Sequence, residues 1–362
     1  MRHKHSDYMH WAKTQSKARY NLATSGVGAF PLKELPVSLD QLEINGDNSY
    51  GYAPLQRAIA EKAGVNPDCV VTAEGTSMAN YLAMATVLDP GDEVLMEHPT
   101  YALLEDAAWN IGADVRRFAR TEESGYALDP EQVRNALTPR TRLIVITNLH
   151  NPSSVLAPDA ALGEVAGLAR SAGARLLVDE VYLDAVYQDT PRSAFHLGPG
   201  VIVTSSLTKV YGLSGLRCGW ILADPDLTRA MRQLNNVFAS TPVHVGERLS
   251  VIAFQHLDRI RERARKVVEA DRALLDEFLD RHTAVSAART RFGTTAFLRL
   301  AGGEADAFLA RLRVEHETSA VPGRFFGMPG HFRVGMGVNR EMFGEGLRRI
   351  GLALEAGCSP RI

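Results

Sequence analysis

From Val70 onward the chain alternates short apolar runs with stretches that repeat at helical spacing. CVVTAEG reads as a strand and turn, TSMANYLAMATVL as a helix and DEVLMEH as a strand. The series continues with TYALLEDAAWNIG (helix), ADVRRFA (strand), DPEQVRNAL (helix), TRLIVITN (strand) and PDAALGEVAGLARSAG (helix), then the strands ARLLVDE, GVIVTSS and CGWILAD. Runs such as RLIVIT and GVIVTS are apolar at successive positions, the pattern of strands covered on both faces. Repeated strand-helix-strand units predict an α/β fold: a large domain with a mostly parallel seven-stranded sheet flanked by helices. Ligands of such sheets lie outside the carboxyl ends of the strands.

After Asp224 the pattern changes. Val243 to Arg281 reads as largely helical, with Leu249, Ile252, Leu257, Ile260 and Val267 among charged neighbours. TAFLRL, ADAFLARLR, GHFRVGMG and REMFGEGLRRIGLAL then mix strands with helices, as a smaller α+β domain would. The first 45 residues carry no sheet pattern of their own. The expected division is therefore 46–242 as the large domain, with 1–45 and 243–362 forming the small one.

Composition narrows the function. The 362 residues are 45% hydrophobic, enough for a substantial core, and 40 basic against 42 acidic residues leave a net charge of −2. With the signs interspersed, there is no field to recruit nucleic acid or an anionic membrane, and the expected partner is a small molecule. Cys69, Cys218 and Cys358 form no C-x-x-C pair, as expected of reduced thiols in the cytoplasm. No run approaches a membrane span, and the charged N-terminus lacks a signal peptide's apolar core. His3, His5 and His10 have no matching ligand spacing, so no metal site is expected there, only a frayed terminus.

The strand ends carry polar residues that a buried position ordinarily excludes. Asn148 and Asn151 follow RLIVIT, Asp179 and Tyr182 follow ARLLV, and Ser206, Lys209 and Arg217 follow GVIVTS. Gly75, Thr76 and Ser77 follow CVVTA and open a helix whose free N–H groups can hold an anion. Taken singly, Lys209 is a loop lysine, Asn151-Pro152 a turn, Asp179 an ion-pair residue and Gly75-Thr76-Ser77 a helix start. One sheet rim collects them all. An anion cradle, an arginine, an amine nucleophile and a carboxylate suit pyridoxal 5′-phosphate, whose aldehyde condenses with lysine and whose ring nitrogen needs an acid partner.

These motifs resemble the class I and II aminotransferases, the fold type I pyridoxal-phosphate enzymes, over nearly the whole chain. Ser206, Lys209 and Arg217 match that family's lysine motif, with the arginine eight residues after the lysine, and Asn151 stands twenty-eight residues before Asp179. The resemblance implies an enzyme that passes an amino group between an L-amino acid and a 2-oxo acid. Lys209 would carry the cofactor as a Schiff base and, once freed, move a proton; a depressed pKa is expected of it. Asp179 would keep the ring nitrogen protonated, Asn151 and Tyr182 would bond the ring's phenolic oxygen, and Tyr101 would stack on the ring. Gly75, Thr76, Ser77, Ser206 and Arg217 would hold the phosphate. Arg333 in GHFRVGMG and Gly26 in ATSGVGAF would meet the substrate's α-carboxylate.

By the same resemblance Tyr50, with Tyr52 in reserve, would reach the phosphate of a second copy, which requires a homodimer with shared sites. Ser154 stands where the family has glycine, which leaves the geometry of the NPSS turn open. SSLTKVYGLSGLRCGW and FRVGMG are similar to histidinol-phosphate aminotransferases, whereas TSGVGAF and NSYGYAPL look more like a pyridoxal-phosphate cyclase. Cyclase, lyase, decarboxylase and oxidase chemistry on the same fold are the alternatives, since fold alone does not choose the bond that breaks. A non-catalytic sensing module fits poorly without a DNA-binding helix pair, and no strand leads into G-x-G-x-x-G.

Overall fold

A computed structural model describes residues 3–358. In chain order its elements begin with α1 (Asp7–Thr14), β1 (Tyr20–Asn21), α2 (Ala53–Ala63), β2 (Val70–Glu74), α3 (Thr76–Val87), β3 (Glu93–His98), α4 (Ala102–Ile111) and β4 (Asp114–Ala119). Next come α5 (Pro130–Ala136), β5 (Thr141–Thr147), α6 (Asp159–Ser171), β6 (Arg175–Asp179), β7 (Val201–Ser206) and β8 (Cys218–Leu222). Three helices follow: α7 (Pro225–Phe238), α8 (His244–Phe254) and α9 (Leu257–Arg281). The last part comprises β9 (Val285–Ala287), β10 (Thr295–Leu300), α10 (Ala305–Glu315), β11 (Thr318–Ser319), β12 (Val321–Pro322), β13 (His331–Gly335) and α11 (Arg340–Cys358).

Seven strands form the main sheet in the order β2-β8-β7-β6-β5-β3-β4. The pairs from β7 through β6, β5 and β3 to β4 are parallel, whereas β8 runs antiparallel to both of its neighbours. That reversal matters for the rim. Cys218, which opens β8, pairs with Glu74, which closes β2, so the residue just before β8 stands among the carboxyl ends of the other strands. Apolar clusters fill both faces, one around Leu95, Ile144, Leu176 and Val203 and the other around Val94, Val145, Leu177 and Ile202. Neighbours in sequence thus face opposite layers, as the continuous apolar runs require.

The second sheet, β12-β13-β10-β9, is antiparallel and packs through Leu298, Phe332 and Val334 against α9, α10 and α11. The sequence pattern underestimates the N-terminus. Its expected frayed end is α1: the Ser6 side chain accepts from Met9 N at 3.2 Å, and Tyr8 and Trp11, three residues apart, are buried on one face. The polar residues between them hid that stripe. β1 then pairs in parallel with β11, and beyond it Phe30 and Leu35 join the core around Ile144. The helical stretch predicted over 243–281 is two helices, preceded by α7.

Loop 148–154 is fixed from beneath by charge. The Glu97 carboxylate, wholly buried on β3, accepts from Thr147 N at 2.7 Å and Thr147 Oγ1 at 2.6 Å, and meets Arg120 at 2.7 Å. Burial pushes Glu97 up, with Arg120 the main opposing influence. Removing one member of such a pair strands the other in a dry interior. Arg120→Met is therefore expected to lower the unfolding free energy by about 3–5 kcal/mol, measured by urea denaturation. A loss under about 1 kcal/mol, the range of exposed pairs, would contradict this assignment.

Candidate active site

One cavity of about 370 Å³ opens at the rim, and Gly26, Thr76, Ser77, Tyr101, Asn151, Asp179, Tyr182, Lys209 and Arg217 line it. Residues from five strand ends and the N-terminal segment meet there. Thr147, Asp179 and Thr204 stand side by side on β5, β6 and β7, so their side chains share one face of the sheet. Asp179 is buried; its Oδ2 accepts from Asn80 Nδ2 at 2.8 Å and its Oδ1 from Val181 N at 3.0 Å. Desolvation lifts its pKa to about 6, against the pull of those hydrogen bonds and of Lys209.

Lys209 sits past the end of β7 and donates from Nζ to Ser25 Oγ at 3.0 Å. Burial lowers its pKa, in the direction expected; Arg333 and Arg217 add to the fall, while Tyr8 and Asp179 oppose it. The chain at Gly26 passes so close that a Cβ there would lie 3.0 Å from the Lys209 backbone, and Val27 N donates to Lys209 O at 2.8 Å. Tyr182 and Tyr101 are both held as neutral phenols by burial, Tyr182 rising to about 12.

The anion cradle comes from α3. Thr76 and Ser77 open that helix, so their N–H groups lack acceptors within it. Thr76 Oγ1 donates to Ser206 Oγ at 2.7 Å, tying the helix start to the end of β7. Gly75 has φ 79°, and a Cβ on it would meet the Arg217 guanidinium at 2.3 Å. Arg217, with φ 52°, donates to Glu74 O at 2.8 Å and to Ser214 O at 3.1 Å, which aims the exposed fork along the rim.

Arg333 reaches the site from β13 with no exposed surface, donating through Nη1 to Asn151 Oδ1 at 2.9 Å. Asn151 is steadied in turn by its N–H, which donates to Thr147 Oγ1 at 2.9 Å. Ser154 closes the turn at φ 64°, the left-handed conformation glycine favours, and its hydroxyl bonds Thr295 O at 2.8 Å. Tyr50 stands apart: it is 53% exposed and does not line the cavity. Tyr52 packs edge-on against His244.

Three contributors escaped the sequence reading. Asn80 lies four residues after Thr76 in an otherwise apolar helix, a spacing that puts both on one face. Ser25 adjoins the glycine that was singled out. Tyr8 was lost among terminal charges.

The family model for aminotransferases of class I and II matches residues 34–350. The chain belongs to this family. It is 31% identical to capreomycidine synthase of Streptomyces vinaceus, over 92% of this chain and 89% of that one. It is 27% identical to an arginine–pyruvate transaminase of Pseudomonas aeruginosa, over 89% and 86%. Among solved structures, a pyridoxal-phosphate-dependent aminotransferase from Streptococcus suis superposes with a TM-score of 0.93 at 26% identity, covering all of both chains. The fold is that of the fold type I pyridoxal-phosphate transferases, and the cofactor is pyridoxal 5′-phosphate.

The residues present fit that group. A cradle of free N–H groups and a guanidinium lie at one end of the cavity, a buried carboxylate on its floor and an amine beside it. Gly75→Ala is expected to displace Arg217 and weaken cofactor binding about tenfold, equivalent to roughly 1.4 kcal/mol. Fluorescence titration of the cofactor-free variant checks this; unchanged affinity would show that Arg217 does not need the glycine.

Proposed function

We propose that this family member is an aminotransferase that passes the amino group of an L-amino acid to a 2-oxo acid. The observation that carries the reading is one cavity lined by Lys209, the buried Asp179 carboxylate and Asn151, with the buried Arg333 guanidinium directly behind Asn151. Bound pyridoxal 5′-phosphate supplies a carbonyl carbon for the amine and a ring that accepts electrons from the substrate's α-carbon. Every other task falls to the chain.

Lys209 Nζ holds the cofactor and then carries the proton to and from the substrate's α-carbon; its lowered pKa keeps a larger neutral, proton-accepting fraction. Asp179 holds the proton of the ring nitrogen, a task for a carboxylate because a neutral acceptor would not sustain the positive charge. Asn151 and Tyr182 orient the ring through its phenolic oxygen, and Tyr101 covers one face. Gly75, Thr76, Ser77, Ser206 and Arg217 fix the phosphate. Arg333 takes the α-carboxylate of either substrate, with the Gly26 backbone beside it.

The assembly we propose is a homodimer in which Tyr50 serves a second copy. Exposed Ile44, Tyr50 and Val243 support it. They lie on adjoining segments, since Asn48 Nδ2 donates to Pro242 O at 2.8 Å and Gly46 abuts His244. A second reading, cyclisation of an amino acid by the same proton chemistry, is favoured by the 31% identity to capreomycidine synthase.

A panel of the common L-amino acids against pyruvate and 2-oxoglutarate tests the choice. Loss of visible absorbance on adding a donor, recovered on adding an acceptor, with a new 2-oxo acid and no ammonia, supports transamination. A cyclic product by mass spectrometry supports the second reading. Lys209→Ala is expected to lose borohydride fixation of the cofactor and about a thousandfold in turnover, within the range of positioned proton transfer. Retention of both overturns the role of Lys209.

The pH dependence has a definite sign. Asp179, raised to about 6, is ionised above that pH and neutral below it, so cofactor affinity should fall as pH drops through about 6. Asp179→Asn should bind weakly throughout and lose that part of the profile. Superimposable profiles would remove Asp179 from ring-nitrogen binding.

A further inference from the structure

We propose that Tyr8, on α1, binds the substrate's carboxylate together with Arg333: the phenol accepts a hydrogen bond from the guanidinium and donates its own O–H to the carboxylate. This rests on the functional reading above and adds a residue and an element to it.

Arg333 has no exposed surface, and both of its hydrogen bonds go to neutral acceptors, Asn151 Oδ1 at 2.9 Å and the Tyr8 hydroxyl at 3.2 Å. Its Nε is buried without a partner, and no carboxylate among the described residues pairs with it. A charge so placed is short of an anion, and Asn151 and Tyr101, which touch Arg333 and Tyr8, line the cavity through which one can enter. Tyr8 acts as acceptor in its single hydrogen bond among the described residues, so its proton is uncommitted. Its ring is buried and fixed by edge contacts to Tyr101 at 5.6 Å and Phe325 at 5.5 Å, while the Phe326 ring lies 5.1 Å from the guanidinium carbon of Arg333. The hydroxyl is therefore held in place before any ligand arrives. Thr24, which lines the cavity, adds another buried hydroxyl without a partner. A carboxylate has the acceptor lone pairs that these donors lack. α1 thereby becomes a wall of the substrate site.

Tyr8→Phe keeps the ring and removes the hydroxyl. With the best donor from the panel, the holoenzyme variant should show KM for donor and acceptor raised about tenfold or more, the worth of a hydrogen bond to a charged group, with kcat little changed and the thermal midpoint retained. Discrimination between that donor and its carboxamide should shrink in step, which loosening of α1 alone would not produce. Trp11→Leu, on the same helix, is the control for loosening and should keep the wild-type discrimination. Arg333→Lys separates the two levels of the argument. If it leaves KM unchanged, the carboxylate site itself is misassigned; if it raises KM while Tyr8→Phe behaves as wild type, only the role of Tyr8 falls. An equal loss of discrimination in Trp11→Leu also overturns it.

Discussion

A carboxylate buried at the end of a central strand governs this site. Asp179 gives up water on entering the sheet rim, and the surrounding structure must return what water supplied. Asn80 does so with one amide: its Nδ2 donates to Asp179, and its Oδ1 accepts from Thr204 Oγ1 at 2.5 Å on the neighbouring strand. That pair of bonds sets the rotation of α3 over the sheet, because Asn80 can serve both strands from only one helical face. Thr76, one turn earlier on that face, is thereby delivered to Ser206, and the N-terminus of α3 to the wall of the cavity that Arg217 also lines. The carboxylate's partner thus also fixes the anion cradle.

The second sheet is tied to the site through a longer chain of dependence. Buried Glu97 pins Thr147, Thr147 accepts from Asn151 N, and Asn151 accepts from Arg333 on β13. A positive group of the second sheet is thus positioned by a negative group in the middle of the main sheet, with only neutral residues between. Ser154 reinforces the same junction, bonding Thr295 on β10. The N-terminal segment completes it, since Gly28 N donates to Gly337 O while Val27 N donates to Lys209 O.

The main sheet was legible because its inner strands β3, β5, β6 and β7 are apolar on both faces, a pattern that survives without any long-range information, while the edge strand β4, DVRRFA, buries little. Asp179, Asn151 and Lys209 were legible because polar residues at the ends of such runs have few other reasons to be there. Tyr8 and the β1–β11 pair were not. Tyr8 acquires its meaning from Arg333, 325 positions later, and two-residue strands carry no period to detect. Asn80 was hidden for the opposite reason: the apolar helix around it reads as core, and one amide in a core helix signals a buried acid only once the strand beneath is known. Ser154 shows a local rule overridden, because its tie to Thr295 offsets a backbone conformation that glycine adopts more readily.

The balance of charge across the cavity follows from these placements. Arg217 and Lys209 line the cavity and Arg333 stands behind Asn151, against the single buried acid Asp179, so positive groups outnumber negative ones there. Burial is the main reason that Lys209 moves toward the neutral amine; Arg333 and Arg217 add to the fall, while Tyr8 and Asp179 oppose it. A ligand with an anion at each end neutralises the arginines separately, one through the helix cradle and one through the buried guanidinium. As each arginine is neutralised its share of that fall is removed, and burial is left as the influence that lowers Lys209.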